Sequence, residues 1–150
     1  MFNSPVATLV AVLAIGGISS VANADMLSAT RPVIAIVGDE LYTGDAIGHL
    51  NGAGTLSLRS QSNPAVSCRG EFTSNAAKIG SGQLECSNGT AATFQFTRLS
   101  TFTGFGAGAS DHGPLTFVYG LGPLDAALYL KLPVGKKLTQ DGAQVALADL

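Results

Sequence analysis

Apolar and polar residues alternate along much of this chain with the two-residue period of β-strands. The run VIAIV at 33–37 predicts a short buried strand, and Gly38-Asp39 predicts the turn that follows it. Three later segments, at 42–56, 68–84 and 92–108, each pass from a short apolar or aromatic stretch into Gly-x-Gly. The pattern predicts an all-β fold, an antiparallel meander of about eight to ten strands that forms a small barrel or a strongly twisted sheet.

The second and third of these segments match each other at an offset of 24 residues. Each is interpreted as a β-hairpin, and the first segment is less regular because the longer loop RSQSNPAVS is inserted after it. We therefore assign repeated hairpins to 42–120 and C-terminal strands or a tail to 121–150, within a single β domain at 25–150. The matched pairs are Phe72 and Phe96, Thr73 and Thr97, Gly80 and Gly104, Gly82 and Gly106, and Gly89 and Gly113.

The two cysteines suggest a register for the second hairpin. If Cys68 lies opposite Cys86 in an antiparallel pair, Phe72 lies opposite Gly82 on the same face, because the strand period is two. A phenylalanine ring then covers a bare glycine, which shields the backbone and lets the strand bend. Placing Gly54 opposite Phe72 extends this face to the preceding hairpin.

The C-terminal part of the chain predicts further strands. ALYLKL at 127–132 alternates as a strand should. KKLTQDGAQVAL at 136–147 predicts a hairpin that turns at Asp141-Gly142. A short helix over 143–150 is the alternative to the last strand.

The order aromatic-x-Gly followed by Gly-x-Gly-x-Leu, on a period of 24 residues, resembles the MORN-type glycine and aromatic β-hairpin repeats. The likeness covers 42 to 120, although the second copy begins with Cys68 in place of an aromatic residue and basic residues are sparse. This resemblance implies a repeat-hairpin architecture and a binding or scaffolding role. The residues that carry it most clearly are Tyr42, Gly44, Gly52, Gly54, Thr55 and Leu56.

The first 24 residues have the character of a secretory signal peptide. An apolar stretch passes into small residues and ends at Ala22-Asn23-Ala24, an A-x-A cleavage signature that would leave Asp25 as the first mature residue. A retained membrane anchor is the alternative, but about 10 strongly apolar residues fall short of the roughly 20 that span a bilayer. We expect a periplasmic or extracellular protein with no transmembrane span after signal removal.

Composition argues against several functional classes. Charged residues make up 12% of the chain, and 8 Lys and Arg against 10 Asp and Glu give a net charge of −2. There is no basic run or aromatic-interleaved basic patch, so the electrostatic footprint of nucleic-acid binding is missing. The 19 glycines favour turns and curved strands.

Cys68 and Cys86 are the two cysteines of the chain. A zinc site and a catalytic Cys–His pair are alternatives, but His49 and His112 lie apart from them without the close spacings of metal ligands. An even number of cysteines in an exported protein favours a disulfide. We predict a Cys68–Cys86 disulfide and expect no metal and no cofactor.

Other candidate groups have simpler structural explanations. His49 and His112 adjoin turn residues and are expected to be solvated. Asp39, Glu40 and Asp45 lack the ordered ligand spacing of a calcium loop and are expected to form a polar loop.

Two short motifs also favour structural interpretations. Asn88-Gly89-Thr90 matches an N-glycosylation acceptor and also predicts a hairpin turn. GFGAGAS at 104–110 is similar to a phosphate-binding glycine loop but lacks the Lys-Ser/Thr ending of such a loop. No G-x-S-x-G occurs, so we expect no catalytic residues and no enzymatic activity. A recurrent set of aromatic residues is interpreted as core and glycine cover, not as a ligand-stacking platform: Phe72, Phe94, Phe96, Phe117 and Tyr119.

Two functional hypotheses remain. The first is a non-catalytic structural or interaction module of the cell envelope or extracellular space, whose partner is an unidentified envelope protein or surface component. The alternative is a carrier of a small apolar ligand or lipid in a β-barrel pocket. A filled interior would exclude the carrier, whereas an open cavity above roughly 300 Å³ would favour it.

Overall fold

Eight antiparallel strands form a closed barrel in the computed structural model, which describes residues 28–75 and 77–150. The predicted signal peptide at 1–24 and its cleavage site lie outside the described residues. The strands are β1 (Ser28–Val37), β2 (Glu40–His49), β3 (Ala53–Ser60), β4 (Ser67–Ser74), β5 (Ile79–Cys86), β6 (Ala91–Arg98), β7 (Gly104–Ser110) and β8 (Gly113–Tyr119). Each pairs with its neighbour along the chain, and β1 pairs with β8 to close the barrel. The predicted all-β meander is confirmed.

The predicted register is confirmed on both sides of β4. Cys68 lies opposite Cys86, and Phe72 lies opposite Gly82 on one side and Gly54 on the other. The ring of Phe72 covers Gly54, since a Cβ there would overlap it. Gly82 is covered by Phe94 of the next strand instead. The sequence thus predicted the pairing correctly but not the side toward which the ring leans.

Aromatic rings cover glycines in the same way on three hairpins of the barrel. An aromatic residue on an even-numbered strand covers the directly opposite glycine of the preceding strand. A Cβ at any of these glycines would overlap the ring, so the absence of a side chain is what allows the ring to lie there. The pairs are Phe72 over Gly54, Phe96 over Gly80, Phe94 over Gly82, Tyr119 over Gly104 and Phe117 over Gly106.

Alternation along the strands places the main core inside the barrel. Buried or half-buried positions alternate with exposed ones along β3, β4, β5 and β6, so one face of each strand packs inward and the other meets solvent. The buried inner cluster consists of Val33, Ala35, Val37, Tyr42, Leu56, Leu58, Cys68, Leu84, Ala92, Phe94, Phe96, Leu115 and Phe117.

β1 is buried on both faces, which explains its continuous apolar run. Each residue at 33–37 is at most 5% exposed, so the predicted buried strand is confirmed. Ile34 and Ile36 point outward into a second cluster together with Val118 of β8. The C-terminal segment completes this cluster and covers the seam between the first and last barrel strands with Ala126, Tyr129, Leu130, Leu132, Leu138, Val145 and Leu147.

The segment at 127–132 is not a strand, so that prediction is wrong. A short helix, α1 (Pro123–Ala126), precedes this segment, and turns occupy the segment itself. Proline suits the first turn of a helix, where its missing N–H needs no partner. Ala126 and Leu130 are one helical turn apart, and both bury against the outside of the barrel. Within the described ranges, no helix has the length and apolar content of a membrane span.

The C-terminal hairpin is confirmed. It consists of β9 (Lys136–Asp141) and β10 (Gln144–Asp149), so a strand and not a helix ends the chain. The turn residues are Gly142 and Ala143, one position later than predicted. Gly142 has a φ of 60°, which a glycine adopts without steric cost.

Candidate functional site

The barrel has a hollow end and a filled end. The loops that connect β2 to β3, β4 to β5 and β6 to β7 surround the hollow end, which we call the open end. The turns before β2, β4, β6 and β8 form the opposite, closed end. A cavity of about 660 Å³ occupies the interior at the open end. This volume lies within the range of small-molecule binding sites.

Six phenylalanine and tyrosine side chains from the described part of the chain contribute to the cavity wall. Centroids of the Phe94 and Phe117 rings lie 5.1 Å apart, and those of Phe72 and Phe96 lie 5.6 Å apart, both in edge-to-face contact. This geometry is favourable for aromatic pairs and holds the wall in one shape. The rings cover glycines, as the sequence predicted, and they also line the cavity together with Leu56 and Val33.

Arg98 lies at the mouth of the cavity. It is the last residue of β6 and follows Phe94 and Phe96 at alternate positions, which places its side chain on the inward face. Its Nη2 donates a hydrogen bond to Ser74 Oγ at 2.9 Å, and that hydroxyl donates to the Gly52 carbonyl at 3.2 Å. This chain of hydrogen bonds holds a half-buried guanidinium at the open end.

Arg31 lies at the same mouth, on the inward face of β1. Its Cζ is 4.1 Å from the centroid of the Phe102 ring, within the distance of a cation–π contact. Its Nη1 also donates to the Thr30 carbonyl at 3.1 Å. Phe102 belongs to the loop between β6 and β7, so this loop positions the second guanidinium.

Tyr119, the last residue of β8, adds a hydroxyl beside Arg98. Burial raises the pKa of Tyr119, while the charge and hydrogen bond of Arg98 act in the opposite direction. The phenol is therefore neutral at neutral pH and can donate a hydrogen bond.

No carboxylate lines the cavity within residues 28–75 and 77–150. The ion pair found in this part of the chain joins Lys136 to Asp149 on the C-terminal hairpin, away from the cavity. Arg31 and Arg98 therefore bring positive charge to an apolar space without a carboxylate partner among the described residues. A half-buried charge without a counter-charge lowers the stability of the fold. Residues that lower stability in this way are typical of functional sites such as binding sites.

The closed end has a hydrogen-bonded plug around Glu40. Its Oε1 accepts hydrogen bonds from Ser62 Oγ at 2.5 Å and Ser60 Oγ at 3.1 Å, and its Oε2 accepts one from Tyr42 Oη at 3.1 Å. The Ser62 hydrogen bond is the largest of the effects that lower the pKa of Glu40, against the opposing effect of burial. Burial, and then the charge of Glu40, raises the pKa of Tyr42 to about 12.

The predicted disulfide joins β4 to β5 near the closed end. Cys68 is 1% exposed and packs within the inner cluster. The cysteines therefore serve as a cross-strand link, and neither is a free thiol.

The other residues that the sequence singled out lie at both ends of the barrel. His49 lies at the rim of the cavity, whereas His112 lies in an exposed turn at the closed end. Asp39 and His112 line a shallow pocket at the closed end together with Glu40, and the charge of His112 contributes to the lowered pKa of Glu40. Asp45 lies in β2, away from this pocket. Among the described residues, no three His, Cys, Asp or Glu side chains are close enough to hold a metal ion.

The two short motifs have structural roles. Asn88 Oδ1 accepts a hydrogen bond from the Thr90 backbone N–H at 3.1 Å, which confirms the hairpin turn. GFGAGAS at 104–110 is the strand β7, in which Gly104 and Gly106 lie beneath aromatic rings. These glycines allow ring packing and do not form a phosphate-binding loop.

Comparisons with protein-family models, curated proteins and solved structures give no match for this chain. The resemblance to MORN-type repeats therefore stays a prediction.

Arg31 and Arg98 were not among the residues that the sequence patterns predicted to be functional. They are 67 positions apart in sequence, and closure of the barrel brings both to one mouth. One signal could have found them: each continues the inward alternation of its strand, Arg98 after Phe94 and Phe96, and Arg31 before Val33. A charged residue at an inward position is uncommon unless it is paired or functional.

Proposed function

We propose that this protein binds a small apolar molecule in the open end of its barrel and acts as a carrier. The observation that supports the proposal most is the cavity of about 660 Å³, lined by aromatic and aliphatic side chains. It exceeds the roughly 300 Å³ expected of a small-molecule site. The cavity favours a carrier over a purely structural module. An envelope or surface partner stays a prediction, and so does the absence of enzymatic activity.

The cavity wall is suited to binding without large rearrangement. An apolar ligand gains about 25 cal/mol for each Å² of apolar surface removed from water. Rings that are already packed edge to face lose little further freedom when the ligand enters, so less of this gain is lost to ordering. The disulfide and the plug around Glu40 hold the opposite end of the barrel closed.

The proposed location of this carrier is the periplasm or the extracellular space. A disulfide is consistent with an oxidising compartment, where such bonds persist. Export there agrees with the signal peptide predicted at 1–24.

Binding can be tested with N-phenyl-1-naphthylamine, a neutral dye whose fluorescence rises in apolar surroundings. We expect saturable binding to the wild-type protein. Ala46 lies on the cavity wall, so Ala46→Trp should fill the space and abolish the signal. Ala107 is exposed on the outer face of β7, so Ala107→Trp adds the same side chain elsewhere and should bind as the wild type does.

Circular dichroism would establish that both variants keep the β-fold. Failure of the wild-type protein to bind the dye would overturn the carrier proposal. Equal binding by Ala46→Trp and Ala107→Trp would also overturn it, because the dye would then lie outside the cavity.

A further inference from the structure

The polarity of the cavity changes along the barrel axis. Deep in the barrel its lining is apolar, with Leu56, Phe94 and Phe117. At the mouth, every even-numbered strand ends in a polar residue that lines the cavity: His49, Ser74, Arg98 and Tyr119. Arg31 adds a second guanidinium from β1. A ligand that matches this lining has one polar end and one apolar end.

The charged groups at the mouth are donors only. A guanidinium carries five N–H donors and accepts no hydrogen bond. Arg98 donates to Ser74 and is hydrogen-bonded to the Tyr119 hydroxyl, and Arg31 donates to the Thr30 carbonyl, which leaves further N–H donors on both guanidinium groups. A carboxylate accepts hydrogen bonds and carries the opposite charge, and its two oxygens match the planar fork of arginine. The polar end of the ligand is therefore expected to be anionic.

The surroundings favour an amphiphile over a compact anion. An inorganic anion would satisfy the arginines but leave the aromatic wall without contacts. A sugar or nucleoside would place hydroxyl and amide groups against Phe94 and Phe117, where burial without hydrogen bonds is costly. An unbranched hydrocarbon chain contacts the aromatic wall and places no polar group against it.

We infer that the ligand is an amphiphilic monocarboxylate, with its carboxylate held by Arg98 and Arg31 at the mouth and its hydrocarbon chain inside the barrel. This inference rests on the proposed carrier function. Ser74 holds Arg98, and Phe102 holds Arg31, so both guanidinium groups are positioned before the ligand arrives. The Tyr119 hydroxyl is a further donor beside Arg98.

The inference can be tested with two ligands of equal chain length, decanoate and decan-1-ol, each used to displace N-phenyl-1-naphthylamine at pH 7.4. Both have the same apolar chain, and only decanoate is charged. Because the carboxylate forms charge-assisted hydrogen bonds to arginine, we expect decanoate to bind at least about tenfold more tightly than decan-1-ol. Raising the salt concentration should reduce this preference, since the mouth is open to solvent.

Arg98→Gln keeps a polar side chain and removes the charge. We expect it to weaken decanoate binding about tenfold and to weaken decan-1-ol binding much less, so that the preference for decanoate is largely lost. Arg31→Gln should act in the same direction. Arg69 is exposed on the outer face of β4, so Arg69→Gln is the matched control and should change neither affinity.

The outcomes separate the two proposals. If the dye and both ligands fail to bind, the carrier function is wrong and this inference falls with it. If decan-1-ol binds as tightly as decanoate, the carrier function stands and the carboxylate inference is wrong. The wild-type comparison of the two ligands decides this even if Arg98→Gln does not fold.

Discussion

The two ends of the barrel are built from the same strands with the same alternation, yet one is filled and the other is hollow. Near the closed end, inward positions carry aliphatic side chains such as Leu58, Leu84 and Leu115, which are almost fully buried in the inner cluster. Toward the open end they carry aromatic rings that lie over glycines of the neighbouring strand. A ring that covers the wall beside it does not fill the space in the middle. Large side chains can therefore line a cavity without closing it.

The two ends also differ in charge. Asp39 and Asp111 lie in turns at the closed end, and Glu40 begins β2 there. Arg31 and Arg98 lie at the mouth of the open end. The ionised Glu40 carboxylate at the closed end is stabilised by hydrogen bonds within its plug, whereas the arginines of the open end line a largely apolar space. This difference supports the proposal that the closed end stabilises the fold and that the open end binds the ligand.

The largest expected effect tests the difference between the filled end and the hollow end by comparing two leucines of β3. Leu58 is 3% exposed in the filled half, so Leu58→Ala should destabilise the fold by about 2–5 kcal/mol. Leu56 lines the existing cavity, so Leu56→Ala should cost less than half as much, because fewer contacts are lost. Urea unfolding would measure both. Equal losses would contradict the division into a filled and a hollow end.

The disulfide provides the next largest effect. Cys68 and Cys86 are 18 residues apart, and the double variant Cys68→Ala/Cys86→Ala should lose about 3 kcal/mol of unfolding free energy. Because the link lies near the closed end, the folded variant should still bind the dye at the open end. An unchanged urea midpoint, or two free thiols in the mass spectrum of the wild-type protein, would contradict the structural role of this link.

The smallest effect concerns pH. The pKa of Tyr42 is raised to about 12 from an ordinary value of 10.0, so its contribution to stability is complete below pH 10 and is lost as pH rises toward 12. We expect the wild-type unfolding free energy to fall more steeply over this interval than that of Tyr42→Phe. Parallel pH profiles from urea unfolding would contradict a buried phenol at the closed end.

Local sequence patterns were sufficient to predict the strands, the hairpin pairs and the disulfide. They succeeded because each barrel strand pairs with its neighbour in sequence, so a hairpin and its register depend on nearby residues. The error at 127–132 has the same origin. Its apolar residues suit a strand or a helical turn equally well, and contact with the outside of β1 decides between them.

The candidate site could not be predicted in this way. Whether the interior is hollow depends on how far each ring leans toward its neighbour, and the pattern of inward positions does not contain that information. The lean of Phe72 toward Gly54 is one example. The presence of Arg31 and Arg98 at the same mouth likewise requires closure of the barrel through β1 and β8.

The C-terminal cover of β1 has a consequence for the order of synthesis. β1 precedes the other barrel strands in the chain, but its pairing partner β8 and the residues that bury Ile34 and Ile36 come after all the other barrel strands. The strands β2 to β7 can pair one after another as the chain emerges. One edge of β1 stays unpaired until β8 has been made, and its outer face stays uncovered until residues 121–150 have been made. The barrel therefore closes only when β8 has been made, and a protein truncated before residue 121 would expose the outer face of its most apolar strand.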